Sequence, residues 1–451
     1  MKNIKIALWA IPALLTVLWL AATLPFPETL NFITIRNLLV QYSGVIATGV
    51  MSLGMILALR IRWLESWLNG LDKSYRLHKW LGIMALVMSV AHWVSSEAPK
   101  WMVSLGLMAA PQRGAPPAGM PEMGAVEGFF MSQRGLWEVI GEWAFYAAVV
   151  LIALALIKQF PYKYFVSTHK LISVAYLGVV VHSAPLLTFD DWLTPVGVLS
   201  GLLMIGGVIA AVLALTGQIG RRNTVSGKID TIRTFPDLQA TAVNVTLGQD
   251  WKGHDAGQFA FVTFDPKEGK HPFTIASAWD ANTRKILFIT KGLGDYTKFL
   301  PETLHPGGEA IVEGPYGRFT FQDDKARQIW IGGGVGITPF IAKMKDLAQT
   351  DGTQTAGAKT IDLIHSTKEH SPEALALLKA DAEAAGITLH VLVDDRDGFL
   401  TPDRLRQMIP AWKTASVWFC GPAGFGQALR QDLLANGFSA DAFHQELFNM
   451  R

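Results

Sequence analysis

Six long apolar runs crowd into the first half of this chain and none follows them, which leaves few folds open to it. The runs lie near Ile6–Leu24, Leu38–Leu59, His78–Ser95, Trp137–Ile157, His169–Leu187 and Leu193–Leu215. Each is long enough to cross the ~30 Å hydrocarbon core of a bilayer. Backbone polar groups in hydrocarbon need internal partners, so the runs are predicted to be helices. The first follows Lys2 and Lys5 as a secretion signal would, but it is too long for a signal core and ends on the weak cleavage site Ala21-Ala22-Thr23. It reads as an uncleaved span.

Loop charges orient the bundle. Lys2, Lys5, Arg60, Arg62, Lys73, Arg76, Lys79, Lys158, Lys163, Lys170, Arg221 and Arg222 gather on one side. The other side has only Arg36, Lys100, Arg113 and Arg134, diluted by Glu97, Glu122, Asp190 and Asp191. Both termini, and everything after residue 220, are therefore expected in the cytoplasm of a cell whose plasma membrane holds the bundle. A net charge of +2 gives no ground for nucleic-acid binding. Cys420 is the sole cysteine, which excludes internal disulfides and cysteine-ligated iron–sulfur clusters.

Of the 11 histidines, the membrane half holds His78, His92, His169 and His182 and no others. His78 and His92 are 14 positions apart on the third span. At ~100° and ~1.5 Å per residue they share a face to within about 40° and stand about 21 Å apart along the axis. One such helix fits two interfacial histidines as well as two metal ligands. The fifth span, running the same way, repeats the pattern with His169 and His182. His78 is thus matched with His169 at the cytoplasmic depth and His92 with His182 at the outer depth. Two matched imidazole pairs are what bis-histidine b-type haems need, and polar groups buried in a bilayer are usually functional. The second pair is 13 apart, about 140° out of phase on an ideal helix. A tightened turn near Ser173 or Gly178, or different ring rotamers, is needed there. Tyr176, midway between those histidines, reads as packing. Glu138 and Glu142 are expected to face the outer loop, and Arg134 to stand where it could meet a haem propionate. Met102, Met108, Met120, Met123 and Met131 of loop 96–136 read as cover for apolar surface rather than as metal ligands.

Beyond Thr224 the period becomes that of strands, with turn residues between short runs and one short helix at Tyr296–Leu300, which predicts an antiparallel β-barrel over residues 221–325. From 326 to 451 strands alternate with helices, as in a parallel α/β nucleotide-binding sheet. Gly332, Gly333, Gly334, Val335, Gly336, Ile337, Thr338 and Pro339 lie between a strand and a helix. Glycines admit a pyrophosphate to the backbone, and the helix start offers donors. Cys420, Gly421 and Pro422 follow the last long parallel strand, on the edge where such sheets bind ligands.

With these motifs the chain resembles the ferric reductase and NADPH oxidase family, and its second half the ferredoxin-NADP reductase superfamily. The histidine spacings on spans three and five are the family's haem spacing. His271, Pro272, Phe273 and Thr274 match its flavin-binding HPFT motif, and Gly314-Pro315-Tyr316-Gly317 its GPYG turn. Thr290, Lys291, Gly292, Gly294 and Thr297 match the segment that holds the FAD pyrophosphate. The resemblance implies that Gly332–Pro339 and Cys420–Pro422 bind NADPH or NADH, with Ser366 and Lys368 placed for a 2′-phosphate although the family's arginine is absent. It implies catalytic places for Phe448 over the flavin ring, for Thr274 and for Cys420. The implied activity is electron transfer from cytoplasmic NAD(P)H through FAD and two b-haems, over residues 1–220, to dioxygen or a ferric chelate outside. A conduit feeding a periplasmic protein is the other reading.

Overall fold

The computed structural model describes residues 2–110, 124–187, 192–294, 296–349 and 359–446. They form two compact units, one from the chain up to Leu64 with Lys73–Ile219, the other from Glu65–Asp72 with the chain from Gly220 on.

Among the described residues six helices are long and apolar enough to cross a membrane. They are α1 (Lys2–Thr23), α2 (Phe32–Leu57), α4 (Leu71–Ser104), α6 (Arg134–Leu156), α7 (Tyr162–Leu186) and α8 (Pro195–Leu215). The short α3 (Arg62–Leu68) and α5 (Ala125–Ser132) stand between them. The spans fall where the apolar runs predict, but α4 overruns its expected bounds at both ends. Its C-terminal extension contains Pro99, which cannot donate a backbone bond. Arg36 of α2 covers the carbonyls concerned: Nε donates to Ser95 O at 3.2 Å and Nη2 to Ser96 O at 3.0 Å. A helix that sequence rules would end near Ser95 therefore continues. The calculated phase mismatch on α7 produces no tightened turn at Ser173 or Gly178, both of which lie in unbroken α-helix. Gly178 instead admits α6, since a Cβ there would meet Ala144 Cβ at 2.9 Å.

The second unit begins with β1 (Thr224–Phe235), β2 (Ala240–Leu247), β3 (Phe259–Thr263), β4 (His271–Thr274), β5 (Lys285–Lys291), α9 (Leu300–Thr303) and β6 (Glu309–Tyr316). Residues 296–299 are turn, so the short helix starts where it was expected to end. The six strands form an antiparallel sheet of order β4-β3-β6-β1-β2-β5. Ile275, just past β4, bridges to Phe288 of β5, and Ala276 N donates to Leu287 O at 2.8 Å. The two edges of the sheet thus meet at one end around a core that includes Val243, Val262, Phe288 and Val312.

After it come β7 (Arg327–Gly333), α10 (Thr338–Gln349), β8 (Thr360–Thr367), α11 (Pro372–Ala384), β9 (Thr388–Val393), α12 (Asp394–Asp397), α13 (Pro402–Met408), β10 (Ser416–Cys420), α14 (Ala423–Ala435) and β11 (Phe443–Glu446). The five strands are parallel in the order β11-β10-β7-β8-β9, so the order reverses between β7 and β10. Such a reversal opens a crevice at the carboxyl edge. Side chains alternate across the sheet. Ile329, Ile331, Val417 and Phe419 fill one face, and Trp330, Leu363 and Trp418 the other with Phe319 and Phe321. Asp323 accepts from Ser416, Trp418, Gln328 and Lys359 at 2.5–3.0 Å. Burial opposes its charge, but these donors hold its carboxyl down at about 2.

Candidate cofactor sites

The four membrane histidines come together in the predicted pairs. The His78 and His169 rings lie 5.7 Å apart between centroids, the His92 and His182 rings 6.2 Å. A metal–imidazole bond of about 2.0–2.1 Å, with the ring centre just over 1 Å beyond the bonded nitrogen, would set two imidazoles sharing one metal about 6.4 Å apart between centroids. The His92–His182 pair is close to that separation, and the His78–His169 pair is about half an ångström or more shorter.

Three of the rings are held by backbone. His78 Nδ1 bonds Gly54 O, His92 Nδ1 bonds Val40 O and His182 Nδ1 bonds Trp137 O, each at 2.9 Å. A carbonyl can only accept, so Nδ1 carries the proton and Nε2 keeps its lone pair, as a metal-binding imidazole requires. His169 Nδ1 is buried with no hydrogen-bond partner among the described residues, and Phe165 stacks on that ring at 5.0 Å. Glycines make room. A Cβ on Gly44 would come within 3.3 Å of the His92 ring and one on Gly141 within 2.1 Å of His182 Nδ1. The residue types and spacing fit a bis-histidine haem at each level.

A cavity of about 570 Å³ lies beside the His92–His182 pair. It is within the ~300–1,000 Å³ usual for a bound small molecule. His92 and His182 line it, with the buried Ala85, Ala148 and Ile152, and Arg36, Lys100 and Arg134 are among its polar residues. Lys100 pairs with Glu97 at 2.7 Å and Arg134 with Glu138 at 2.8 Å. Glu138 and Glu142 thus line the cavity of His92 and His182, where only loop exposure was expected. Glu142 accepts from Tyr146 at 2.7 Å. Tyr176 is fully buried, its hydroxyl 2.8 Å from Ser52 Oγ and 3.3 Å from Met204 O. Of the loop methionines, Met120 and Met123 lie outside the described residues.

In the second unit the flavin-motif residues occupy one strand and one turn. His271, Pro272, Phe273 and Thr274 are β4, and the His271 ring stacks on Tyr296 at 4.4 Å. Thr274 is buried and level with Phe259 of β3. Thr297 Oγ1 accepts from Leu293 N at 3.1 Å and Gly294 N at 3.2 Å, which fixes the turn after β5. Thr290 spends its hydroxyl on Thr241 O at 3.3 Å, and Lys291 pairs with Glu369 at 2.7 Å.

The two glycine segments of the parallel sheet touch each other. Cys420 is level with Gly332 on one side and Glu446 on the other, and Gly333 is level with Ser366. A Cβ on Gly336 would fall 2.2 Å from Cys420 O, and one on Gly421 3.0 Å from Gly333 Cα. Gly334 has φ +55° and open space around it. Ile337 ends this turn, and Thr338 opens α10, its hydroxyl donating to Val335 O at 3.1 Å. Pro339 follows in the first turn, where a missing N–H costs nothing. Cys420 is buried with Sγ 3.6 Å from Glu446 Oε2, and burial first, then that carboxylate, pushes its thiol well up. Pro422 caps α14, Ser366 is buried and Lys368 is exposed. Phe448 lies outside the described residues. The partnership of Glu369 with Lys291 has no sequence signal, since the two are far apart in the chain.

The six long apolar helices, together with the family match of that region, make this a multi-pass membrane protein. Its residues 43–180 match the family described as ferric reductase like transmembrane component. It is 26% identical over 170 residues to a glycine betaine monooxygenase reductase subunit of Chromohalobacter salexigens, covering 34% of this chain and 44% of that one. It is 28% identical over 171 residues to a flavohemoprotein of Deinococcus radiodurans, covering 35% and 41%. The chain spans about half the length of the curated relatives it matches, or somewhat less. Among solved structures it aligns with a flavohemoglobin from Malassezia yamatoensis with bound FAD and heme, at TM-score 0.46 and 17% identity over 92% of this chain and 98% of that one.

Proposed function

We propose that the chain is a transmembrane electron-transfer oxidoreductase of the NAD(P)H oxidase or ferric-chelate reductase type, working from cytoplasmic NAD(P)H to an acceptor outside, in a bacterial inner membrane. When bound, FAD and two b-haems supply the hydride-accepting and one-electron chemistry. The observation that carries the reading is the pair of histidine pairs, 5.7 and 6.2 Å between ring centroids, at two levels of one bundle. His78 with His169 would hold the inner haem, His92 with His182 the outer. The chain's task is to fix those rings, through Gly54 O, Val40 O and Trp137 O, with Nε2 free to bind.

In the second unit, β4 from His271 to Thr274 and the Thr290–Thr297 turn would seat FAD. The cradle Gly332–Pro339 with Cys420–Pro422 would seat the dinucleotide. His92 and His182 would together hold the outer haem and leave an acceptor no place on its iron, which would suit dioxygen or a ferric chelate. A second reading, a conduit to a periplasmic protein, draws on the polar cavity mouth at Arg36, Lys100 and Arg134.

Purified protein should show a six-coordinate b-type spectrum with about two haems per chain, as two histidine pairs require. Nicotinamide consumption with and without oxygen, ferric chelate and a superoxide trap then separates the readings. If haems are reduced but neither acceptor is, the conduit stands; if no haem is present, the proposal falls.

A further inference from the structure

The carboxyl edge of β8 bears on which dinucleotide enters. Gly333 is level with Ser366, so Thr367, Lys368 and Glu369 border the glycine cradle. In doubly wound sheets the adenosine ribose rests near the end of this neighbouring strand. There a carboxylate accepts from the ribose hydroxyl of NAD, or an arginine meets the extra phosphate of NADP. No arginine occurs in 366–370. Glu369 does, with its side chain one-third exposed (33%) and paired to Lys291 at 2.7 Å. Its main-chain oxygen accepts the Thr367 hydroxyl at 3.0 Å, which fixes the turn. Burial opposes its ionisation, but Lys291 prevails and holds the carboxyl below the ordinary range.

Lys291 is thereby committed, and giving it to a phosphate would leave the Glu369 carboxylate bare. The adjoining strand ends in the same sense. Thr367 is level with Val393, after which come Asp394, Asp395 and Asp397. One carboxylate oxygen of Asp394 is buried without a hydrogen-bond partner among the described residues, so it suits a hydroxyl donor rather than a phosphate. Arg396 is bound to Asp397 at 2.8 Å. Exposed Lys368 offers a point charge without the bidentate fork by which arginine grips phosphate.

We propose that Glu369 is a specificity-determining residue that makes NADH, rather than NADPH, the reductant of this chain. The proposal rests on the dinucleotide reading above. A 2′-phosphate would bring two further negative charges beside Glu369 and Asp394, whereas a 2′-hydroxyl would donate to them.

The test is anaerobic flavin reduction of the purified full-length protein, followed by stopped-flow with NADH and with NADPH. Wild type should reduce faster with NADH, by about tenfold or more in apparent second-order rate, the scale of one like-charge contact. Glu369→Gln should narrow that ratio by raising the NADPH rate. Lys291→Met, which bares the carboxylate, should widen it, and the ratio is insensitive to any loss of FAD. If the pair were merely a structural tie, both variants would move the ratio alike or not at all, and the proposal would be overturned. Preference of wild type for NADPH would overturn it too. Failure of both nucleotides to reduce the flavin would instead sink the dinucleotide reading on which it rests.

Discussion

Gly141 of α6 lies so close to His182 of α7 that a Cβ on it would stand 2.1 Å from Nδ1. The same nitrogen holds Trp137 O, one turn earlier on α6. Helix α6 therefore both anchors the imidazole and leaves it room. Gly141→Ala should expel the ring from that bond and remove one of two haems, read as the haem-to-protein ratio. Gly82→Ala is the matched control, since nothing lies within 4 Å of a Cβ there. Equal haem content in both variants would refute the assignment of His182.

Tyr176 gives a prediction about the bundle itself. Its hydroxyl meets Ser52 Oγ and Met204 O, and a Cβ on Gly207 would lie 1.9 Å from it. Hydrogen bonds between membrane helices average about 0.6 kcal/mol and reach about 1.7, so Tyr176→Phe should cost an amount in that range. Gly207→Ala should cost more, because the clash extends to Cζ at 2.5 Å. Since part of that clash is the hydroxyl, the double variant should be milder than the sum of the two. Thermal unfolding in detergent measures all three.

In the parallel sheet, Gly336→Ala should disable the dinucleotide cradle. Its Cβ would meet Cys420 O at 2.2 Å and Gly421 N at 2.9 Å, both backbone atoms that cannot swing aside. Overpacking of this kind costs about 1–3 kcal/mol. Gly424→Ala, in the open first turn of α14, should be neutral or stabilising by up to about 1 kcal/mol. Dinucleotide-induced change in the flavin spectrum should vanish in the first variant and persist in the second.

Much of this was legible from residue types alone. Apolar runs gave the six spans because hydrocarbon length and backbone satisfaction leave helices no alternative. Histidine spacing gave the two pairs, and glycine spacing the cradle. The missed features are those whose partner is a main-chain atom or a distant side chain. Gly54 O, Val40 O and Trp137 O leave no trace in composition, yet they fix three rings. The continuation of α4 past Ser95 was hidden because nothing local shows that Arg36 reaches Ser95 and Ser96. The Lys291–Glu369 pair was hidden for the same reason.

The strap Glu65–Asp72, which packs with the second unit, supplies a pH dependence. The Glu65 carboxylate is buried and accepts from Gly317 N at 2.8 Å, next to an Arg318–Ser66 hydrogen bond. Burial pushes its carboxyl above the ordinary 4.5, against the Gly317 amide and the Arg318 charge, which favour ionisation. A carboxyl raised in the docked state binds its proton more tightly there than when released. Docking is therefore fully supported below the ordinary value and weakens as pH rises through the raised one. Gln at this position keeps an acceptor oxygen and carries no charge to bury. Glu65→Gln should thus remove the pH dependence, while Glu65→Ala should weaken docking at every pH. Hydrogen exchange at the Gly317 amide, corrected for intrinsic rate and compared between about pH 5 and about pH 8, reads this directly. Protection in the wild type that rises with pH would show that the carboxylate is docked in its charged form and that Arg318 outweighs burial.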